Sequence, residues 1–351
     1  MKSKIRKAAV LLLLAVIVSA CNNPRTSIIS LFTSEKVIDH HTVIELADDE
    51  FLGFVFSMSL ANNSLIVRER DRSEFYSIID IRDNTVRRFG TRGQGPNELI
   101  FPTCFSILND SIATFSDVSL SALFEVNYTG DLLPRRILEF NRDYQIRSII
   151  PVSATRYIAL GNFEEGRYLL MDETGRKLSF HFNFPTPRAG TNLATPMLQF
   201  LAFQGSLIRR PSGYAFFFAG RTSEILEIIE VDKDDNLKKI FSFHGEMAHL
   251  VTSGDGRTSG SVGIRQNSKK RFVSASATDN YIYLLYSGKE IRDYLCNAVR
   301  SNRLLVLDWQ GNPVTKLLLD IEVNQIAVSE NDEYLFAYAN DLGKLVRFEL
   351  R

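Results

Sequence analysis

The chain has 351 residues, 41 Lys and Arg against 41 Asp and Glu, with 45% hydrophobic and 23% charged content, the balance of ordinary folded protein. That composition excludes a disordered chain, a collagen and a multi-span membrane protein. If Lys2, Lys4, Arg6 and Lys7 belong to a removable leader, 37 basic groups remain against 41 acidic ones, and a mildly acidic body offers no global field for nucleic acid.

Residues 1–20 read as a secretory signal peptide: basic Met1–Lys7, apolar Ala8–Ile17, then small residues before Cys21. The apolar stretch falls short of the roughly 20 residues of a bilayer span. Val18-Ser19-Ala20-Cys21 resembles the lipobox of bacterial lipoproteins, which implies acylation of Cys21 and attachment to a membrane through lipid. Residues 21–36, beginning with the polar Asn22-Asn23-Pro24-Arg25-Thr26-Ser27, are expected to be a tether, and residues 37–351 a single folded domain. Asn22 stands where the best-known sorting rule places an aspartate for inner-membrane retention. By the same resemblance the address is the cell envelope, at the outer membrane facing the periplasm. Cys104 and Cys296 are compatible with a disulfide or with two separate thiols, and no metal-type cysteine spacing exists.

From residue 37 onward, apolar runs of four to eight residues rich in Phe, Tyr, Val and Ile recur between turn signals, as in short strands. One hairpin repeats, starting at Phe75, Ala122, Tyr168, Leu226 and Leu304. Asp80, Asn127, Asp172, Asp232 and Asp308 open its turns, where an Asx side chain can bond to turn amides. Two further strand-like runs precede each hairpin, and four strands per unit specify a propeller blade. The last unit ends one strand short at Leu350, so Thr42–Leu46 is expected to supply its outer strand and close the ring. The fold class is therefore all-β: a six-bladed propeller with four-stranded antiparallel blades, its ring closed by an N-terminal strand.

The link after the first hairpin, Phe89 to Pro102, reads FGTRGQGPNELIFP. It is similar to the inter-blade signature of NHL-type propellers and, more closely, of the TolB-like six-bladed propeller lipoproteins of Gram-negative bacteria. Gly90, Gly93 and Gly95 free the backbone, Pro96 and Pro102 stiffen the exit, and Glu98 can accept loop amides. With Gln94 these residues form a structural loop that also admits ligand contact. A phosphate cradle would instead run into a helix, and here a strand follows.

His244-Gly245-Glu246-Met247-Ala248-His249 spaces its histidines at i and i+5, whereas a zinc-protease helix needs i and i+4. A polar inter-blade loop is expected there, leading into a mobile Gly/Ser-rich stretch, Ser253 to Gly263. With Arg265, Lys269, Lys270 and Arg271 it is the candidate for a specialised surface. No Gly-x-Ser-x-Gly elbow occurs. Candidates for the channel mouth are Glu50, Thr103, Arg147, Gln199, Arg271 and Asn324. A hard cation wants oxygen ligands, so calcium enters only as an alternative cofactor, opposed by the two arginines, which favour an anion or pair with neighbouring acids. Arg68, Arg70, Arg72, Arg82, Arg87, Arg88 and Arg92 alternate with acids in the first blade as solvated strand faces or as a docking face for an acidic partner.

These features point to a non-catalytic, lipid-anchored protein of the envelope that binds a protein, peptide or glycan ligand without a cofactor. An extracytoplasmic hydrolase or lactonase-like enzyme with its site in the channel is the alternative, and architecture alone cannot choose between them.

Overall fold

The computed structural model describes residues 26–351 apart from 71, 96, 188–190, 194, 255–259 and 293–296. Cys21, Pro96, Cys296 and the leader lie outside the described residues. Two short N-terminal strands come first, β1 (Glu35–Ile38) and β2 (His41–Ile44). Blade 1 is β3 (Phe54–Ala61), β4 (Ser64–Arg70), β5 (Glu74–Asp80) and β6 (Val86–Thr91). Blade 2 is β7 (Pro102–Ile107), β8 (Ile112–Asp117), β9 (Ala122–Asn127) and β10 (Arg135–Glu139). Blade 3 is β11 (Ile146–Ser153), β12 (Arg156–Gly161), β13 (Tyr168–Asp172) and β14 (Lys177–His181). A short helix α1 (Pro196–Ala202) leads into blade 4, made of β15 (Gly205–Arg209), β16 (Ala215–Gly220), β17 (Ile225–Val231) and β18 (Leu237–His244). A two-stranded hairpin, β19 (Leu250–Gly254) and β20 (Gly260–Ile264), precedes blade 5: β21 (Phe272–Ala277), β22 (Tyr281–Tyr286), β23 (Ser301–Asp308) and β24 (Pro313–Val323). Blade 6 joins β25 (Gln325–Val328), β26 (Tyr334–Ala339) and β27 (Lys344–Glu349) to β2.

The ring closes as the sequence predicts, with β2 antiparallel to β27 and Thr42 opposite Arg347. The five repeated turns also form through the predicted Asx residues: Asp308, for example, accepts the N–H groups of Gln310 (2.9 Å) and Asn312 (2.8 Å). Arg82 on Asp80 holds that carboxyl down at about 2.

The middle strands are unbroken apolar runs, such as the Phe216-Phe217-Phe218 stretch of β16, because both of their faces pack on neighbouring blades. The outer strand β18 instead alternates half-buried and exposed positions. Among the described residues the buried apolar side chains fall into six clusters, one at each blade interface. The closing interface holds Val55, Leu65 and Ile79 of blade 1 against Phe336 and Leu345 of blade 6.

One finding departs from expectation. From Ser27 onward the presumed tether is fastened to the body. Ile28 is wholly buried between blades 4 and 5 and Phe32 packs with it, while β1 adds a fifth, parallel strand to the edge of blade 5. The reason is one buried carboxylate, Glu224, which accepts from the Ser27 hydroxyl (2.7 Å) and the Ile28 N–H (3.1 Å).

Candidate functional site

Antiparallel blades divide the ring into two faces. One carries the links from each outer strand to the next inner strand, together with the turns between second and third strands. The other carries the tight turns on either side. All the long links, 182–204, 245–271 and 287–300, lie on the first face, around blades 3 to 5; we call it the connection face.

The glycine-rich link lies on this face and is closed on itself. Gly93 donates to the Leu99 carbonyl (3.1 Å), Leu99 to the Thr91 carbonyl (2.9 Å), and the Gly95 N–H to Glu98 (2.7 Å). Gly90 adopts φ +77°, and a Cβ on Gly93 would overlap the Glu98 carboxylate. Pro102 opens β7, Leu99 is buried, and Gln94 is exposed. The amides of Gly93, Gly95, Glu98 and Leu99 are thus bonded inside the loop and not turned to a ligand, the geometry of a blade connection.

Of the six channel-mouth candidates, Thr103 and Arg147 lie in inner strands, Glu50, Arg271 and Asn324 precede one, and Gln199 does neither. Glu50 is bound by Arg88 of the outer strand β6 (2.9 and 2.6 Å), which holds its carboxyl below the usual range. Thr103 sits in the inner strand β7 with its hydroxyl on Ser116 (3.1 Å). Arg147, in the inner strand β11, is exposed and makes no hydrogen bond or ion pair among the described residues. Gln199 lies in α1 instead of leading an inner strand, and its amide donates to the Leu193 carbonyl (3.2 Å). Asn324 is buried just before β25, its Oδ1 without a partner among the described residues. Arg271 is buried between blades 4 and 5, where it donates to Glu224 (2.8 Å), the Tyr286 hydroxyl (2.9 Å) and Glu246. Both acids of the local sequence are thus engaged in structure. Among the described residues no group of three or more His, Cys, Asp or Glu side chains could hold a metal ion.

His244, Glu246 and His249 each have a partner elsewhere. His244 approaches the buried Glu227 (3.4 Å), Glu246 goes to Arg271, and the His249 backbone bonds to Ser268. Burial opposes the charge of Glu227. The His244 ring, Arg167, the Tyr168 hydroxyl and Lys239 outweigh it and keep the carboxyl well below the usual range. This acid inside a strand of apolar neighbours, like Glu224, escaped sequence reasoning.

The Gly/Ser-rich stretch expected to be a mobile loop forms the β19–β20 hairpin, with its tip at 255–259 outside the described residues. Leu250 and Val262 of the hairpin join Leu198 and Ala202 of α1 in one apolar cluster, so helix and hairpin cap blades 3 and 4 together. Beside the cap, Phe163, Glu164, Phe184, Pro185, Leu193 and Gln199 line a cavity of about 340 Å³. On the opposite face a hollow of about 290 Å³ is lined by turn residues including Asn62, Asn63 and Glu330. Next to the hairpin, Arg265, Lys269 and Lys270 form no ion pair among the described residues. Burial and the neighbouring Arg221 push the Lys270 amine down to about 8.

Most of the first-blade arginines are spent on structure. Arg82 pairs with Asp80, Arg88 with Glu50 and Arg72 with Glu69 (3.3 Å), while Arg87 donates to the Tyr128 carbonyl (2.8 Å). Arg92 lies over the Phe75 ring at 3.6 Å and donates to the Glu69 carbonyl (3.0 Å). Arg68 is different: its only contacts of this kind are the rings of Phe56 (4.9 Å) and Phe101 (5.5 Å).

Among the described residues no helix is long and apolar enough to cross a membrane. A family model for TolB-like six-blade propeller-like proteins matches residues 32–331. No curated protein sequence matches the chain. Among solved structures the chain is similar to a Bacteroides fragilis protein named for inferred export, at 13% identity and a TM-score of 0.54, covering 89% of this chain and 99% of that one. It is also similar to the calcium-binding protein regucalcin of Agrobacterium tumefaciens, at 10% identity and a TM-score of 0.49, covering 91% and 96%. At such identities the likeness establishes fold alone.

Proposed function

Since this chain belongs to the TolB-like six-bladed propeller family, we propose that it is a lipid-anchored envelope protein that binds a protein, peptide or glycan ligand on its connection face, without catalysis. The carrying observation is the asymmetry of the ring. All the long links, α1 and the β19–β20 hairpin gather on one face around blades 3 to 5, beside a cavity of about 340 Å³, while the other face has tight turns. A rigid closed scaffold with elaborated loops on one side is the arrangement by which scaffolds carry binding sites. The signal-peptide pattern and the lipobox-like sequence at Cys21 support an extracytoplasmic address, the outer membrane facing the periplasm. Because the body is fastened from Ser27, five residues, 22–26, are left as the tether, a reach of at most about 18 Å. The ring would therefore be held close to the membrane.

Two experiments test this reading. Cys21→Ala should move the protein from the membrane to the soluble fraction, and retention would contradict lipid anchoring. Capture from native envelope, with the wild type and with β19–β20 replaced by a short turn, should show a partner lost in the shortened variant; equal capture by both would contradict the assignment of the face.

A further inference from the structure

The cleft between blades 1 and 2 holds a cation, Arg68, that has no counter-charge among the described residues. Arg68 lies near the connection-face end of β4, opposite Ser57 of the inner strand β3. Phe101 arrives from the link that enters β7, the inner strand of the next blade, so Arg68 bridges two blades beside the channel. It is half-buried, forms no ion pair or hydrogen bond among the described residues, and its buried Nε finds no acceptor. Buried donors in folded proteins nearly always have partners, and an orphaned one asks for a reason. Two phenyl rings flank the guanidinium and its Nε is buried, so a ligand would meet it at the two Nη atoms. That edge is the fork that matches a carboxylate in plane. The rings are themselves exposed, Phe56 by 39% and Phe101 by 53%, with Phe51 nearby on Arg72 at 66%. Exposed flat apolar rings beside a single unpaired cation are the makings of a recognition site.

We propose that Arg68, Phe56 and Phe101 form a binding site for an acidic sugar, a uronate whose carboxylate takes the arginine edge while the C–H face of its pyranose ring lies on the exposed phenyl rings. A uronate joins the carboxylate and the flat apolar ring in one residue. A peptide carboxylate would satisfy the arginine and leave the rings bare. The inference rests on the reading of the connection face as a binding surface and names the ligand class for one part of it.

Calorimetric titration of the purified, detergent-solubilised protein with trigalacturonate and with neutral galactotriose tests it. Trigalacturonate should bind and galactotriose should not. Arg68→Ala, Arg68→Lys and Phe101→Ala should each weaken binding by about tenfold or more, the worth of a charged hydrogen bond pair. Phe101 is exposed, so its variant keeps the test informative if Arg68→Ala fails to fold. Equal binding of the neutral sugar, unchanged affinity in Phe101→Ala, no binding of trigalacturonate to the wild type, or binding of a tetraglutamate peptide in its place would each overturn the proposal. If shortening β19–β20 abolishes envelope capture while trigalacturonate does not bind, this inference fails and the broader reading stands. If trigalacturonate binds as expected but shortening changes nothing, what fails instead is the placing of the envelope partner at the β19–β20 cap.

Discussion

Glu224→Gln tests the strap that fastens the N-terminus and the network behind it. The carboxylate is fully buried and takes hydrogen bonds from Arg271 (2.8 Å), Tyr286 (2.7 Å), Ser27 (2.7 Å) and the Ile28 N–H (3.1 Å). Glutamine keeps the shape but removes the charge opposite buried Arg271. Removing one partner of a buried pair costs about 3–5 kcal/mol. Glu246 leaves a second carboxylate on Arg271, which argues for the lower end, about 3 kcal/mol. Some 320 ordered residues at roughly 2.1 cal/mol/K each give an unfolding entropy of about 0.7 kcal/mol/K. The expected fall in Tm by scanning calorimetry is therefore about 4 °C. Glu246→Gln, on a carboxylate that is 43% exposed, should cost about 1 kcal/mol or less. A Tm for Glu224→Gln within about 1 °C of wild type, or a larger loss in Glu246→Gln, would refute the ordering of these two acids.

Three further outcomes follow from local geometry. Lys270, held down to about 8 by burial and Arg221, is about half neutral at pH 8, against under roughly 1% for an ordinary lysine. Acetylation followed by mass spectrometry should label it ahead of exposed Lys233, and slower labelling would contradict the shift. Because its folded pKa lies below its unfolded one, the unfolded chain binds more protons between about 8 and the ordinary lysine value, so this group's contribution to stability rises with pH across that window. Gly93→Ala should destabilise because its Cβ meets Glu98, and adding Glu98→Ala should recover part of the loss by about 0.5 kcal/mol or more; strictly additive melts would show that the two do not touch. Thr42→Pro made together with Val43→Pro removes two adjacent N–H groups of the closing edge strand β2, one of which must face β27, at a cost of about 1 kcal/mol or more with self-association through the freed edge. A monomer with unchanged Tm would mean that β2 does not seal the ring.

The parts of the fold that were legible in the sequence are those governed by local chemistry. Asp80, Asn127, Asp172, Asp232 and Asp308 announce their turns because an Asx side chain completes a turn within its own few residues. Closure by β2 was legible because the last unit lacks a strand and the strand-like run Thr42–Leu46 near the start has no blade of its own. The strap was not legible: Ile28-Ile29-Ser30-Leu31-Phe32 is an apolar run too short to display a strand or helix period, and what fixes it is the burial of Ile28 and Phe32 together with an acid nearly 200 positions away. Helix α1 is seven residues long, capped by Thr195 and begun by Pro196, too short to display a helical period. In β19–β20, Ser253, Ser261 and Gly263 are exposed, while Leu250 and Val262 pack into the apolar cluster with α1. The channel-mouth candidates were chosen by counting to the start of each inner strand. That count put Gln199, which lies in a helix, at a strand entrance and missed that Glu50 is held by Arg88, whereas Arg271 pairs with acids as one of its two sequence readings expected. Arg68 was one of seven arginines in a stretch of mixed sign, and only coordinates separate it from the six that have other partners.

Hydrogen–deuterium exchange on the partner-bound protein, captured from native envelope, tests the assignment of the binding face most directly. Protection should concentrate in the links 45–53, 92–101, 182–204 and 245–271, with the turns around Asn62, Asp83 and Glu330 on the other side exchanging as in the free protein. Protection confined to those tight turns, with the connection-face links unchanged, would contradict the account.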